Sequence, residues 1–93
     1  MNIHISNLHP NLIEADLQRL FTAFGEVKSV ELVRDKLNNR SRGRAFVEMQ
    51  VEAEGQKAME RLHGTEFKGK VLSLSEVRYD PAFSTHVVRN KVR

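Results

Sequence analysis

Two stretches of the chain repeat the same spacing of apolar or small residues, and this repeat constrains the fold more than any other feature. In both stretches these residues fall at offsets of 0, 4, 7, 8 and 11, which places them on one face of an α-helix. The first set is Ile13, Leu17, Leu20, Phe21 and Phe24, and the second set is Val51, Gly55, Ala58, Met59 and Leu62. Each set is followed by a glycine, which commonly ends a helix. The sequence therefore predicts two amphipathic helices.

Alternating apolar residues flank the two helices and predict four β-strands. These strands cover residues 3–6, 27–34, 41–49 and 70–77, and the pair Asn38-Asn39 predicts a turn between the second and the third. The resulting order is βαββαβ. Because two helices can cover only one face of such a sheet, we predict an α+β, ferredoxin-like sandwich. It would consist of one four-stranded antiparallel sheet with both helices on one face.

The length and composition predict one small domain. The chain has 93 residues and no cysteine, so its stability must come from a hydrophobic core rather than from disulfides or a thiolate zinc site. It contains no apolar run of membrane-spanning length and does not begin like a signal peptide, which predicts a soluble, cytoplasmic protein with no membrane partner. We assign residues 1–78 to the folded domain and residues 79–93 to a basic, mostly flexible tail. Alternatively, a segment around 83–88 folds back onto the sheet.

The positive charge is concentrated in two segments. Residues 34–44 carry five basic residues and one acidic residue, and residues 78–93 carry four basic residues and one acidic residue. The whole chain has a net charge of +3, so the remainder carries −4. Two basic segments on an acidic body favour a polyanionic partner, although such runs are also common as ordinary solvated surface.

The strand 41–49 places a large aromatic ring on the sheet face that the helices leave open. Period two sends Ala45, Val47 and Met49 to the core and sends Arg44, Phe46 and Glu48 to the other side. His4 lies on the same open face, because Ile3 and Ile5 alternate with it. A phenylalanine between an arginine and a glutamate on a wet surface suggests a binding role. The alternative is that the tail covers this ring.

Two segments of the sequence resemble the signature motifs of the RNA recognition motif (RRM) family. Residues 42–49, RGRAFVEM, resemble the octamer motif of this family, and residues 3–8, IHISNL, resemble its hexamer motif. The two segments are separated by a helix and a strand, as in the family. The segments FVEM, AMERLHG and FKGKVLSLSEVR look particularly like the short, single-domain bacterial members. The resemblance covers residues 2 to 78.

The resemblance implies binding of single-stranded RNA. We also expect weaker binding of single-stranded DNA and a monomeric protein, with a protein partner left open. Bases would stack on Phe46, and more loosely on His4 and Arg44. Arg40 and Arg42, in the basic segment 34–44, would contact phosphates. The full set of RNA-binding residues that we predict is His4, Ser6, Asn7, Arg40, Arg42, Arg44, Phe46, Glu48 and Arg78. The tail residues Arg89, Lys91 and Arg93 could add phosphate contacts.

The motifs also depart from the pattern of the family, and the departures leave alternatives open. His4 and Arg44 stand where the family usually has aromatic residues, so one benzenoid ring remains. Arg44 could instead form a cross-strand salt bridge with Glu31 or Glu48, and His4 could be merely solvated. The alternative function is a protein-interaction RRM with degenerate RNA-binding motifs. The best-known form of that class needs an Arg-X-Phe sequence where this chain has Thr65-Glu66-Phe67.

Nothing in the sequence predicts catalysis. The chain shows no paired-carboxylate site, activated nucleophile or phosphate-cradling glycine loop, so we expect no enzyme activity and no cofactor. His9, His63 and His86 are scattered without ligand spacing, so we expect no metal site.

Overall fold

The computed structural model describes residues 1–80 and 85–89 and confirms the predicted α+β sandwich. The two helices are α1 (Glu14–Thr22) and α2 (Glu52–Leu62). The strands are β1 (Asn2–Ser6), β2 (Val27–Arg34), β3 (Ser41–Met49), β4 (Glu66–Phe67), β5 (Lys70–Val71), β6 (Ser73–Asp80) and β7 (Thr85–Arg89). The short strands β4 and β5 form a separate hairpin that the sequence pattern did not predict. No helix among the described residues is long and apolar enough to cross a membrane.

The main sheet is antiparallel, with the strand order β2-β3-β1-β6-β7. The central strand β1 pairs with β3 on one side, where His4 lies opposite Phe46, and with β6 on the other, where His4 lies opposite Ser75. This register brings the hexamer-like and octamer-like segments side by side. The chain separates them by about 40 residues, but the sheet makes them direct neighbours.

The sheet has one strand more than predicted. Thr85–Arg89 pairs with the outer edge of β6, so that Val88 lies opposite Val77 and Thr85 lies opposite Asp80. The segment that we assigned to a flexible tail therefore includes a strand over Thr85–Arg89, whereas residues 83 and 84 of the alternative fold-back segment lie outside the described residues. Two valines and a threonine suit a strand, and the edge of β6 offers unpaired backbone groups. Residues 81–84 and 90–93, including Lys91 and Arg93, lie outside the described residues.

The hydrophobic core lies between the helices and one face of the sheet. Ile3 and Ile5 of β1 are fully buried, as are Leu17 and Phe21 of α1 and Met59 of α2. The core residues predicted in β3, namely Ala45, Val47 and Met49, are also buried. Burying side chains of this size stabilises the fold by roughly 1.5–3 kcal/mol each. The opposite face of the sheet, which carries His4 and Phe46, receives neither helix; we call it the open face.

Both helices begin without the side-chain hydrogen bond that usually caps a helix. The cap positions are Ile13 and Val51, whose side chains are 50% and 45% exposed. At α1 the carboxylate of Asp16 supplies half of a capping box, because its Oδ2 accepts a hydrogen bond from the Ile13 N–H at 3.0 Å. This bond to the Ile13 backbone, followed by the charge of Arg19, holds the pKa of Asp16 below its usual value.

Gly43 joins the end of β1 to the start of β3. Its φ of +75° lies in the left-handed region, which residues other than glycine adopt only at a cost in free energy. Its carbonyl oxygen accepts a hydrogen bond from the Leu8 N–H at 2.9 Å. A Cβ at this position would lie 3.2 Å from the Leu8 carbonyl oxygen. The octamer-like segment therefore needs glycine here for both its backbone angle and its space.

Candidate functional site

Two adjacent rings occupy the open face. His4 and Phe46 lie directly opposite each other on β1 and β3, and their ring centroids are 5.1 Å apart at an interplanar angle of 48°. Both side chains are half-buried, so each ring is fixed by its neighbours while part of its surface stays accessible. The pair presents flat, partly apolar area on a face that the helices do not cover. Such a surface can stack against a planar ligand.

A depression of about 340 Å³ adjoins Phe46 on this face. It is lined by Asn2, Glu31, Phe46 and Val77. Asn2 and Glu31 are not among the site residues predicted from the sequence. The strand pairing could have indicated both, since Glu31 lies opposite Phe46 and Asn2 lies opposite Glu48. An amide and a carboxylate beside an aromatic ring can donate and accept hydrogen bonds at the edge of a stacked ligand.

Arg44 extends the open face at the other end of the ring pair. It lies opposite Ser6 on β1, and its side chain is exposed. The predicted alternative for Arg44 is not found: within residues 1–80 no salt bridge joins it to Glu31 or Glu48. Glu48 lies instead 3.5 Å from the ammonium group of Lys28. The guanidinium of Arg44 is therefore available to a ligand.

The loop between β2 and β3, residues 35–40, is short and is held by its own hydrogen bonds; we call it the basic loop. The Asp35 N–H donates to the Arg40 carbonyl oxygen at 2.7 Å, and the Asp35 Oδ1 accepts a bond from the Leu37 N–H at 2.8 Å. Arg40 is exposed, and Arg42, 53% exposed, lies 3.9 Å from Asp35, which is a long and weak ion pair. Leu37 is 97% exposed at the tip of this loop. Arg40 in the loop and Arg42 in β3 thus place two accessible cations where β3 begins.

Two of the predicted site residues have other structural surroundings. Asn7 follows β1 with a φ of +63°, and its side-chain amide donates to the Val71 carbonyl oxygen at 2.8 Å. This bond ties the end of β1 to the small hairpin. Arg78 lies in β6 opposite Val87 of the added strand. His4, Ser6, Arg44, Phe46 and Glu48 are thus brought together by the pairing of β1 with β3, and Arg40 and Arg42 border them.

The residues weighed for other roles lie elsewhere. Phe67, in the position that a protein-binding Arg-X-Phe sequence would use, packs against the hydrophobic core and is half-buried. His63 accepts a hydrogen bond at Nδ1 from the Leu74 N–H at 2.9 Å, a contact within the fold. In the part of the chain that the structure describes, no group of three or more acidic, histidine or cysteine side chains is placed to hold a metal ion.

The environment of His4 lowers the pKa of its imidazole. Partial burial against the sheet is the main cause, because it penalises the charged form, and the nearby positive charge of Arg44 adds to it. Both effects favour the neutral form of the ring. A neutral imidazole can stack and can either donate or accept a hydrogen bond.

We expect the His4 ring to titrate below the ordinary histidine value of about 6.5 in the free protein. Because protonation is disfavoured in the folded state, His4 lowers the stability of the fold as the pH falls below this value. Arg44→Gln should raise the pKa of His4 only part of the way to the ordinary value, since burial is the larger cause of the lowered pKa. An NMR titration of the imidazole in both proteins measures this, with Lys57→Gln on α2 as the matched control. A wild-type midpoint at or above the ordinary value would contradict the environment described here.

Comparisons with known proteins agree on one family. The sequence profile of the RNA recognition motif family matches residues 3–73. The chain is 38% identical over 78 residues to a Synechocystis sp. protein named "Putative RNA-binding protein RbpA", covering 84% of this chain and 77% of that protein. A crystal structure of an RNA-binding protein named PG1 is 38% identical, with a TM-score of 0.83, and covers 87% of this chain and 98% of its own. A Sex-lethal protein in complex with RNA is 30% identical, with a TM-score of 0.79, covering 83% of this chain and 46% of its own.

Proposed function

The chain belongs to the RNA recognition motif family, and from this premise we propose that it binds single-stranded RNA across the open face of its sheet. The observation that carries the proposal is the pair of half-buried rings, His4 and Phe46, on a sheet face that neither helix covers. Relatives named as RNA-binding proteins and a similar structure solved with RNA support it. Binding would proceed without catalysis.

Stacking on Phe46 supplies the main contact to a base in this proposal. A base stacked on an aromatic side chain contributes ~1–3 kcal/mol, and the contact tolerates any base because every base has a flat face. His4 sits 5.1 Å away and offers a second, smaller and neutral ring for the same base or the next one. Since only one of the two rings is benzenoid, we expect a moderate affinity.

The polar groups around the rings supply the remaining contacts. Arg44 can stack by its guanidinium or bind a phosphate, and the exposed Arg40 and Arg42, just before and at the start of β3, would bind phosphates of the RNA backbone. Ser6 and Glu48 flank the rings along β1 and β3 and can pair with base edges or with the ribose 2′-hydroxyl. Contacts to that hydroxyl would make single-stranded DNA the weaker ligand. Asn7 and Arg78 would contribute at the end of β1 and along β6.

The proposal predicts a salt-dependent affinity that Arg44→Gln weakens. Each phosphate contact contributes about 0.7 to the slope of log affinity against log salt for a single strand. The variant should therefore bind less tightly at low salt and show a slope shallower by about that amount. Titrations of a randomised single-stranded RNA pool at several salt concentrations measure both quantities.

The matched control is Lys57→Gln, which removes one exposed positive charge from α2, on the helix side of the sheet. It changes the net charge as Arg44→Gln does but leaves the open face intact. It should leave the slope unchanged. An equal change in both variants would mean that the protein attracts RNA only through its total charge, and a wild-type affinity that ignores salt would reject the proposal.

A further inference from the structure

A cleft outside the open face has the volume and the side chains of a ligand site. This cleft of about 640 Å³ lies between the turn that precedes α1 and the basic loop. This volume falls in the range of ligand-binding pockets and is larger than the depression beside Phe46. Its lining includes Pro10, Asn11, Ile13, Arg34, Asn39 and Arg40. Of the residues proposed to bind RNA, only Arg40 lines this cleft.

One wall of the cleft is apolar and rigidly held. The preceding turn is fixed by two hydrogen bonds to His9: its Nδ1 accepts from the Asn11 N–H at 3.0 Å, and its carbonyl oxygen accepts from the Leu12 N–H at 3.1 Å. Leu12 is buried in the core and anchors the turn. Ile13 then exposes half of its side chain into the lining beside Pro10. The wall is thus an apolar surface on a fixed backbone.

The start of α1 does not explain why isoleucine stands at this position. A helix cap favours serine, threonine, aspartate or asparagine, because their side chains accept a hydrogen bond from the first turn. Ile13 cannot make this bond, and its exposed side chain gains little from burial. Ile13 therefore offers the lining of the cleft an exposed apolar surface that neither the helix nor the core uses.

The opposite wall of the cleft carries the positive charges of Arg34 and Arg40, and among the described residues only that of Arg34 is balanced by a carboxylate. Arg34 is held by Glu14, whose Oε1 lies 2.9 Å from its guanidinium, so its charge is balanced. Arg40 is exposed and has no ion pair among the residues that the structure describes. One uncompensated positive charge suits the single negative charge of a phosphodiester. The side chains of Asn11 and Asn39 add amide donors and acceptors to the lining.

From these features we propose that the cleft is a nucleotide-binding subsite. The phosphate binds Arg40, the flat face of the base packs on Ile13 and Pro10, and the amides meet its edge. The proposal rests on the proposed function in one respect, because Arg40 connects the cleft to the path of RNA on the open face. Ser41, in the lining, begins β3 and lies about 17 Å along that strand from Phe46, at ~3.3 Å per residue. The nucleotide is the continuation of a bound RNA strand or a free nucleoside monophosphate.

Ile13→Ser tests the cleft without endangering the fold, since serine is a better helix cap than isoleucine. Val51→Ser is its matched control, because Val51 is the exposed, uncapped start of α2 and lies outside the cleft lining. Both variants and the wild type are titrated with randomised RNA pools of fixed length, from about four to about ten nucleotides. Uridine and adenosine 5′-monophosphate are titrated separately, and the amide NMR signals of Asn11, Arg40 and Ser41 are followed.

We expect wild type and Val51→Ser to bind the longer pools at least about fivefold more tightly than the shortest. Ile13→Ser should bind the shortest pool as tightly as wild type does. It should not bind the longer pools more tightly than the shortest pool. Monophosphate-induced shifts of the cleft amides that Ile13→Ser abolishes, without a length effect, would assign the cleft to free nucleotides. Absence of both effects overturns the subsite. If wild type fails to bind even the short pools, the proposed function fails, while the monophosphate titration still decides the cleft.

Discussion

Phe46→Ala should lower the affinity for single-stranded RNA by about 5- to 150-fold, the equivalent of losing one stacked base. The ring is half-buried on the open face and packs beside His4, so its removal takes away the largest flat surface there. The titration uses the randomised pool at one low salt concentration. Circular dichroism establishes that the variant stays folded.

Two further substitutions at the same position separate stacking from simple burial. Phe46→Tyr keeps the aromatic face and should bind within a fewfold of wild type. Phe46→Leu keeps most of the apolar volume without the flat ring, so it should lose nearly as much affinity as alanine. A folded alanine variant that binds as tightly as wild type would show that the open face does not hold RNA, and the search should then turn to a protein partner.

Gly43→Ala should destabilise the fold by about 1–3 kcal/mol. The residue has a φ of +75°, and a Cβ there would lie 3.2 Å from the Leu8 carbonyl oxygen, closer than an ordinary contact. Because the Gly43 carbonyl also accepts the Leu8 N–H, relief of the contact would disturb the bond that joins β1 to β3. Urea unfolding measures the change in the free energy of unfolding.

Gly64→Ala is the matched control for this substitution. Gly64 has a similar φ of +81°, but a Cβ there would have no neighbour within 4 Å. It therefore reports the cost of the backbone angle alone, and Gly43→Ala should exceed it. Equal costs would mean that the approach of Leu8 contributes nothing, and an unchanged stability of Gly43→Ala would contradict the backbone conformation described for β3.

The sequence predicted the parts of the fold that rest on periodicity. Both helices and the first three strands follow from apolar spacing, and β2 and β3 run over the predicted residues, 27–34 and 41–49. The predicted strand 70–77 is instead divided between β5 in the small hairpin and β6 in the main sheet. The open face followed from the count of two helices against one sheet. Phe46 and His4 could therefore be placed on it, and their pairing required only that β1 lie beside β3.

The features that the sequence did not predict depend on backbone geometry or on distant partners. The hairpin β4–β5 turns at Lys68 and Gly69, which both have positive φ, as in a type I′ turn, and lysine gives no signal for such an angle. The strand β7 is too short and lacks a clear alternation, and only the free edge of β6 gives it a partner. The ion pair of Glu48 with Lys28 lies at a register shift of β2 between Val27 and Ser29, which apolar spacing does not predict. The cleft beside Ile13 is formed by two loops that no periodic pattern relates.

The central place of β1 has a consequence for how the protein is made. Ile5 pairs with Ala45 on one side and with Leu74 on the other, that is, with residues 40 and 69 positions later in the chain. Since synthesis proceeds from the N-terminus, β1 is translated before both of its partner strands, β3 and β6. Its second edge stays unpaired until β6 has been translated, and an unpaired edge can pair with other nascent chains. The strand that carries His4 is therefore open to misassembly until the domain is complete.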